Sequence, residues 1–225
     1  MIHFNVYNRI MTIKLKQELI KIASKLQTKK DPSHDFQHIM RVLNMSIKLA
    51  KISKADQDII IPAALFHDIV VHKKNSPKSK NETNESAVVA EKILSKLTSY
   101  PKEKIPNVVA CIKECSFSKG LKASSLESEI LQDADRLEAT GVVSIMRTFS
   151  SGGQMNRPFY PKDDPMCKNG HDRFRSNIDL FYNRLLVVKD TMHTKYAIKI
   201  AEQRTNFLKK FLKQLEKELK ESEIL

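Results

Sequence analysis

The chain has 225 residues, 41% of them hydrophobic, which suits one domain of somewhat above average size with a real core. Its formal charge of +13 asks for an anionic partner or a well-solvated surface, and it excludes neither a nucleic acid nor a small phosphate ligand. No stretch approaches the ~18 apolar residues of a membrane span, and Asn5, Asn8, Arg9 and Lys14 stand where a signal peptide has its apolar core, so a soluble cytoplasmic protein is expected.

Sparse glycine, absent tryptophan and long charged-apolar alternations point to helices. Met11 precedes the first strongly periodic segment, so residues 1–10 are expected to be a loosely held extension or an upstream start, with one domain over 11–225. Leu15, Leu19, Ile22 and Leu26 recur at helical spacing. Lys29 to His34 breaks that helix, and a second begins near Asp35 with His38, Val42, Met45, Leu49 and Ile52 on a broad apolar face. A third runs from about Asp56 through Asp68, with Pro62 near its start or kinking it. The polar, basic stretch His72 to Lys80 reads as a loop. Helices follow over about 82–97, 105–115 and 126–135, and one from Thr140 to Phe149 ends at Gly152-Gly153. Three prolines make 157–165 irregular, and two last helices cover about 173–188 and 194–220. Cys111, Cys115 and Cys167 are odd in number and lack a CxxC spacing. They read as free thiols, the first two as core filler on one helix face.

The chemistry gathers at Ala63-Ala64-Leu65-Phe66-His67-Asp68-Ile69, where two adjacent polar groups end an apolar run that reads as a helix buried on nearly all sides. A buried imidazole and carboxylate there cost several kcal/mol unless paired or bound to a metal. His38, on an inward face, and Asp135, in an apolar turn with Ile130, Leu131 and Leu137, are the candidate partners. An inward histidine taken alone is more often hydrogen-bonded core than ligand, and what shifts the balance is the set. Imidazole nitrogens and carboxylate oxygens together suit one divalent ion such as Mn, Fe, Co, Ni or Zn, with Mg admitted and Mn favoured.

At these residues the chain resembles the HD-domain superfamily of metal-dependent phosphohydrolases. His34 to Val42 matches the opening motif, Leu65-Phe66-His67-Asp68-Ile69 the defining doublet, and Gln132 to Ala139 the closing aspartate segment. The closer resemblance is to a small bacterial branch that includes nucleoside-triphosphate pyrophosphohydrolases, whose later features are similar to Gly141-Val142 and Phe181-Tyr182-Asn183-Arg184-Leu185-Leu186. It implies an all-α, single-domain helical bundle of about eight or nine helices, with metal ligands His38, His67, Asp68 and Asp135. There are three departures. Only His72 stands between the doublet and Asp135, which favours a single metal. Cys115 precedes Ser116-Phe117-Ser118 where the branch often has histidine. Val70, Val71 and His72 stand where nucleotidase members place a catalytic glutamate.

The expected catalytic groups are therefore Asp68, which can hold a metal-bound water, and Glu85 on the next helix, for which a solvated surface role is the competing reading. Lys73, Lys74 and Arg157 are the expected phosphate contacts, against a reading of the lysine run as a solvated loop. Arg41 and Arg136 are expected in structural pairs with carboxylates such as Asp133 or Asp35. The implied substrate is a small phosphate ester, a nucleotide by preference. A nucleotide or nucleic-acid binding protein with little turnover, or a regulatory protein with a structural metal, are the alternatives. The basic residues are spread over several helices with few interleaved aromatics, which disfavours a nucleic-acid platform. Oligomeric state is not specified by the sequence.

Overall fold

The computed structural model describes residues 11–27, 35–72, 76–172 and 175–225. The expected extension, residues 1–10, lies outside them. Among the described residues there are nine α-helices and no strand: α1 Ile13–Leu26, α2 Phe36–Ser53, α3 Gln57–Phe66, α4 Glu82–Lys96, α5 Ile105–Glu114, α6 Leu126–Leu137, α7 Gly141–Gln154, α8 Asn177–Leu180 and α9 Lys195–Glu221. None of them is long and apolar enough to cross a membrane.

Caps set the registers. Thr12 Oγ1 accepts from Leu15 N at 3.2 Å, and α1 then buries Leu15, Leu19 and Ala23. Asp35 Oδ1 accepts from His38 N at 2.8 Å, which starts α2 one turn before His38. The same helix ends at Lys54, held in the left-handed region at φ 58°. α3 has no polar face, because every residue from Asp58 to Phe66 is buried. Pro62 sits inside it and has no N–H to give to the carbonyl of Asp58, four residues back. Tyr100 supplies the missing donor: its hydroxyl donates to Asp58 O at 2.8 Å.

α3 lies at the centre of a first core built from α1 to α6. A second, smaller core gathers Met166, Cys167, Ile178, Phe181 and Leu185 against the C-terminal half of α9. α9 has 27 residues and is roughly 40 Å long at 1.5 Å per residue. It gives Ala197 and Ala201 to the first core and Leu208, Leu212 and Leu219 to the second. Its N-terminus is fixed by Asp133, whose carboxylate accepts from His193 N and Thr194 N, both at 2.8 Å. Cys111, Cys115 and Cys167 are all free and buried, and burial pushes the Cys111 thiol up to about 11.

Three boundaries differ from those expected. α3 stops at Phe66, so the His67-Asp68 doublet lies just past its end. α7 continues through Gly152-Gly153 to Gln154. Gly152 serves packing there, since a Cβ on it would lie 2.0 Å from Asn177 Oδ1. The segment expected as one helix over 173–188 is broken. α8 passes into a π turn over Phe181–Leu185, closed by Leu186 N on Phe181 O at 2.9 Å, and a 3-10 turn follows over Val188–Thr191. The wide turn buries both Phe181 and Leu185.

α8 is anchored by Asp179. Its carboxylate accepts from Arg175 Nε at 3.1 Å, Arg175 Nη2 at 2.9 Å, Ser176 Oγ at 2.6 Å and Asp172 N at 3.0 Å. Burial alone would raise this carboxyl, but the Arg175 and Ser176 bonds outweigh it and hold the group at about 2.

Two stability outcomes follow from these contacts. Tyr100→Phe should destabilise the fold by about 1–3 kcal/mol, the cost of a buried carbonyl left without its donor, read as a lower urea midpoint at unchanged m. A midpoint within error of wild type would show that Asp58 O does not depend on the phenol. Asp179 has a folded pKa below its unfolded value of about 3.9, so its contribution is present above about pH 4 and lost as pH falls toward 2. Asp179→Asn should therefore flatten the fall in stability between about pH 4 and pH 2 in acid titrations followed by circular dichroism. An unchanged acid limb would remove Asp179 from the account.

Candidate metal centre

Four side chains from three helices converge. His38 comes from the first turn of α2, His67 and Asp68 from just past α3, and Asp135 from the last turn of α6. His38 Nε2 lies 3.5 Å from Asp68 Oδ2 and 3.6 Å from Asp135 Oδ1, and His67 Nε2 lies 3.7 and 3.8 Å from the same two oxygens. Both rings are buried, whereas the Asp68 and Asp135 side chains are 26% and 22% exposed, so the cluster opens on its carboxylate side.

Each ring is oriented by its other nitrogen. His67 Nδ1 is 2.9 Å from Ala64 O, and a carbonyl only accepts, so Nδ1 carries a proton and the ring, whenever it is neutral, offers its lone pair at Nε2. That atom is buried with no hydrogen-bond partner. His38 Nδ1 donates to Glu138 Oε2 at 3.3 Å, which directs its Nε2 into the same space. The separations of 3.5–3.8 Å exceed hydrogen-bonding distance. Bonds of about 2.0–2.2 Å to a shared ion put neighbouring ligand atoms roughly 3.0–3.5 Å apart, so a small contraction would bring these atoms to metal spacing. His38, His67 and Asp135 form a group that could hold a metal ion, and the donor set fits a divalent one.

The electrostatics agree. Burial lowers the His67 pKa, but the Asp68 and Asp135 carboxylates overcome it and raise the ring to about 9. Burial raises Asp135, and the adjacent His67 and His38 rings bring it down. A field that favours an imidazolium equally favours a bound cation. Glu138 is raised by burial and lowered further by His38 and Arg41, so it stays ionised behind the cluster.

The cluster lies on a cavity of about 370 Å³, within the size range of small-ligand sites. Asp68, Asp135, Glu82 and Glu138 line it together with Lys119, Arg147, Arg157 and Arg184. Arg157, one of the expected phosphate contacts, is on the cavity wall, while Lys73 and Lys74 lie outside the described residues. Glu85 is not among the residues lining the cavity. It accepts from Asn81 Nδ2 at 3.2 Å and pairs with His72 Nε2 at 2.9 Å, and Glu82, almost one turn earlier, faces the cavity instead. Arg41 pairs with Glu138 at 2.8 Å rather than with Asp35, whose carboxylate caps α2. Arg136 bonds Gln132 Oε1, Thr191 O and His193 Nε2, which ties α6 to the start of α9.

Glu138, Lys119, Arg147 and Arg184 are the residues that sequence reasoning missed. For Glu138 a signal exists: it is three residues after Asp135, the spacing that returns to the same side of a helix end. Lys119 and Arg147 carry no signal that separates them from other surface charges, whereas Arg184 lies in the Phe181 to Leu186 segment that carries the resemblance, with no role assigned to it there.

The HD domain family matches residues 35–140. The chain is 30% identical over 213 residues to the uncharacterized protein YpgQ of Bacillus subtilis strain 168, covering 92% of this chain and 95% of YpgQ. A crystal structure of YpgQ in complex with ADP superposes with a TM-score of 0.69 at 27% identity, covering 91% of this chain and 95% of that one. An HD-superfamily hydrolase from Bacillus thuringiensis gives a TM-score of 0.68 at 28% identity, covering 92% and 97%.

The geometry sets a test of the centre. Elemental analysis of the purified protein should find about one divalent ion per chain, and Asp135→Ala should lose most of it. Glu138→Gln should weaken metal affinity by about 10–100-fold through the His38 ring, measured by competition with a chromophoric chelator. Equal metal content in wild type and Asp135→Ala would sink the centre, and unchanged affinity in Glu138→Gln would show that the α2 cap alone orients His38.

Proposed function

The chain belongs to the HD-domain superfamily, and on that premise we propose that it is a metal-dependent phosphohydrolase acting on nucleotides, in particular on nucleoside triphosphates. The observation that carries this reading is the coincidence of one cavity, the His38–His67–Asp135 group with Asp68 beside it, and four cationic side chains on the same walls. The ADP held by YpgQ supports a nucleotide over a simpler phosphate ester.

A divalent ion held by His38, His67, Asp68 and Asp135 supplies a bound water of lowered pKa and a Lewis acid for a phosphoryl oxygen. The protein's own contribution is orientation. Ala64 O and Glu138 fix the two imidazoles in the tautomer that presents Nε2. Asp68, the more exposed carboxylate, is placed to accept a proton from the attacking water. Arg157 gives a planar, permanently charged fork for a phosphate. The balanced reaction consumes one water and breaks the bond between the α-phosphorus and its bridging oxygen, giving a nucleoside monophosphate and pyrophosphate. Glu82, on the cavity wall, is better placed than Glu85 to relay the proton outward.

With Mn present, the purified protein should release pyrophosphate from nucleoside triphosphates. His67→Ala and Asp68→Asn should fall to the level of the buffer control, and a chelator should abolish turnover in the wild type. Tight nucleotide binding without any metal-dependent release of pyrophosphate or phosphate would replace the enzyme reading with that of a nucleotide-binding protein.

A further inference from the structure

Several basic groups outside the cavity meet carboxylates directly. Arg175 meets Asp179 with two nitrogens, Lys104 bridges Asp56 and Asp58, and Lys168 meets Glu216 at 2.8 Å. Lys119, by contrast, donates to a neutral hydroxyl, Thr83 Oγ1, at 2.6 Å. Arg157 has the Met155 sulfur at 3.9 Å as its contact. Arg147 approaches one carboxylate, Glu138, at 3.9 Å, and that same oxygen is already held by Arg41 at 2.8 Å and His38 at 3.3 Å. Among the described residues no carboxylate pairs closely with any of these three.

The cavity's own acids do not neutralise them. Asp68 and Asp135 belong to the metal cluster, Glu138 supports His38, and Glu82 Oε1 accepts from His72 N at 2.6 Å. A fourth cation, Arg184, is held on the wall by stacking over the Phe117 ring, 5.0 Å from its centroid, with Arg136 also on that ring at 5.8 Å. Half-buried cations that converge on one concave space without matched acids favour an anion of several charges. A pyrophosphate group carries more charge than a single phosphate and spans a greater distance, so it reaches more of the wall.

We propose that Lys119, Arg147 and Arg157 form a pyrophosphate subsite beside the His38–His67–Asp68–Asp135 cluster, which takes the β- and γ-phosphates of a nucleoside triphosphate and the pyrophosphate it yields. This rests on the phosphohydrolase reading and specifies which end of the substrate the cavity grips. Thr83 orients the Lys119 ammonium.

The test is calorimetric titration of inorganic pyrophosphate, and separately orthophosphate, into the protein as purified. Wild type should bind pyrophosphate at least tenfold more tightly than orthophosphate. Lys119→Met and Arg147→Met should each weaken pyrophosphate by about ten- to a hundredfold, the loss expected for one charge-assisted contact. Lys119→Arg should keep most of the affinity, and Lys168→Met, an exposed charge outside the cavity, should bind as wild type. Equal affinity for the two anions, or full affinity in Lys119→Met, or a loss in Lys168→Met as large as in Lys119→Met, would overturn the subsite. The two readings fail separately: hydrolysis of triphosphates without selective pyrophosphate binding removes the subsite alone, and selective binding without hydrolysis removes the enzyme alone.

Discussion

The His67 imidazole is buried at the end of a helix that has no polar face, and much of the molecule can be understood as meeting that one demand. Ala64 O takes its Nδ1 proton. Its Nε2 needs charge or metal within reach, and two carboxylates must therefore come to the same point, one from the next residue and one from α6. Bringing Asp135 there fixes how α6 lies on α2 and α3. It also turns Asp133, two residues earlier, toward the opposite side of α6, where it caps α9. A single buried ring thus constrains the placement of four helices.

Much of the fold was legible because it rests on local signals. Apolar residues at helical spacing, helix starts near Asp35, Asp56 and Thr194, and few glycines mark the helices without reference to anything distant. What failed was decided at a distance. Nothing local says that Gly152 stays inside α7, because its reason is Asn177, on α8. Nothing local says that the stretch around Phe181 takes a wide turn, because that turn is set by where the second core lies.

The cluster was legible for a different reason. An adjacent His-Asp pair closing an apolar helix is anomalous on its own, an inward His38 and Asp135 in an apolar turn were its candidate partners, and the resemblance gave all four as ligands. Charge on the cavity wall carries no such anomaly. Lys119 and Arg147 are two of 39 basic residues, and only packing decides which of them face inward. Glu85 and Glu82 make the same point within one helix: both are acidic and three residues apart, and the neighbouring His72 side chain engages the first.

The exchange of donors at Pro62 has a consequence for how the chain is made. The carbonyl of Asp58 is closed by a hydroxyl 42 residues further on, so a nascent chain that ends before residue 100 leaves this carbonyl to water. A hydrated turn in a helix with no polar face resists collapse. The donor for this carbonyl is therefore made only after α3 and α4 are complete and before α5 begins.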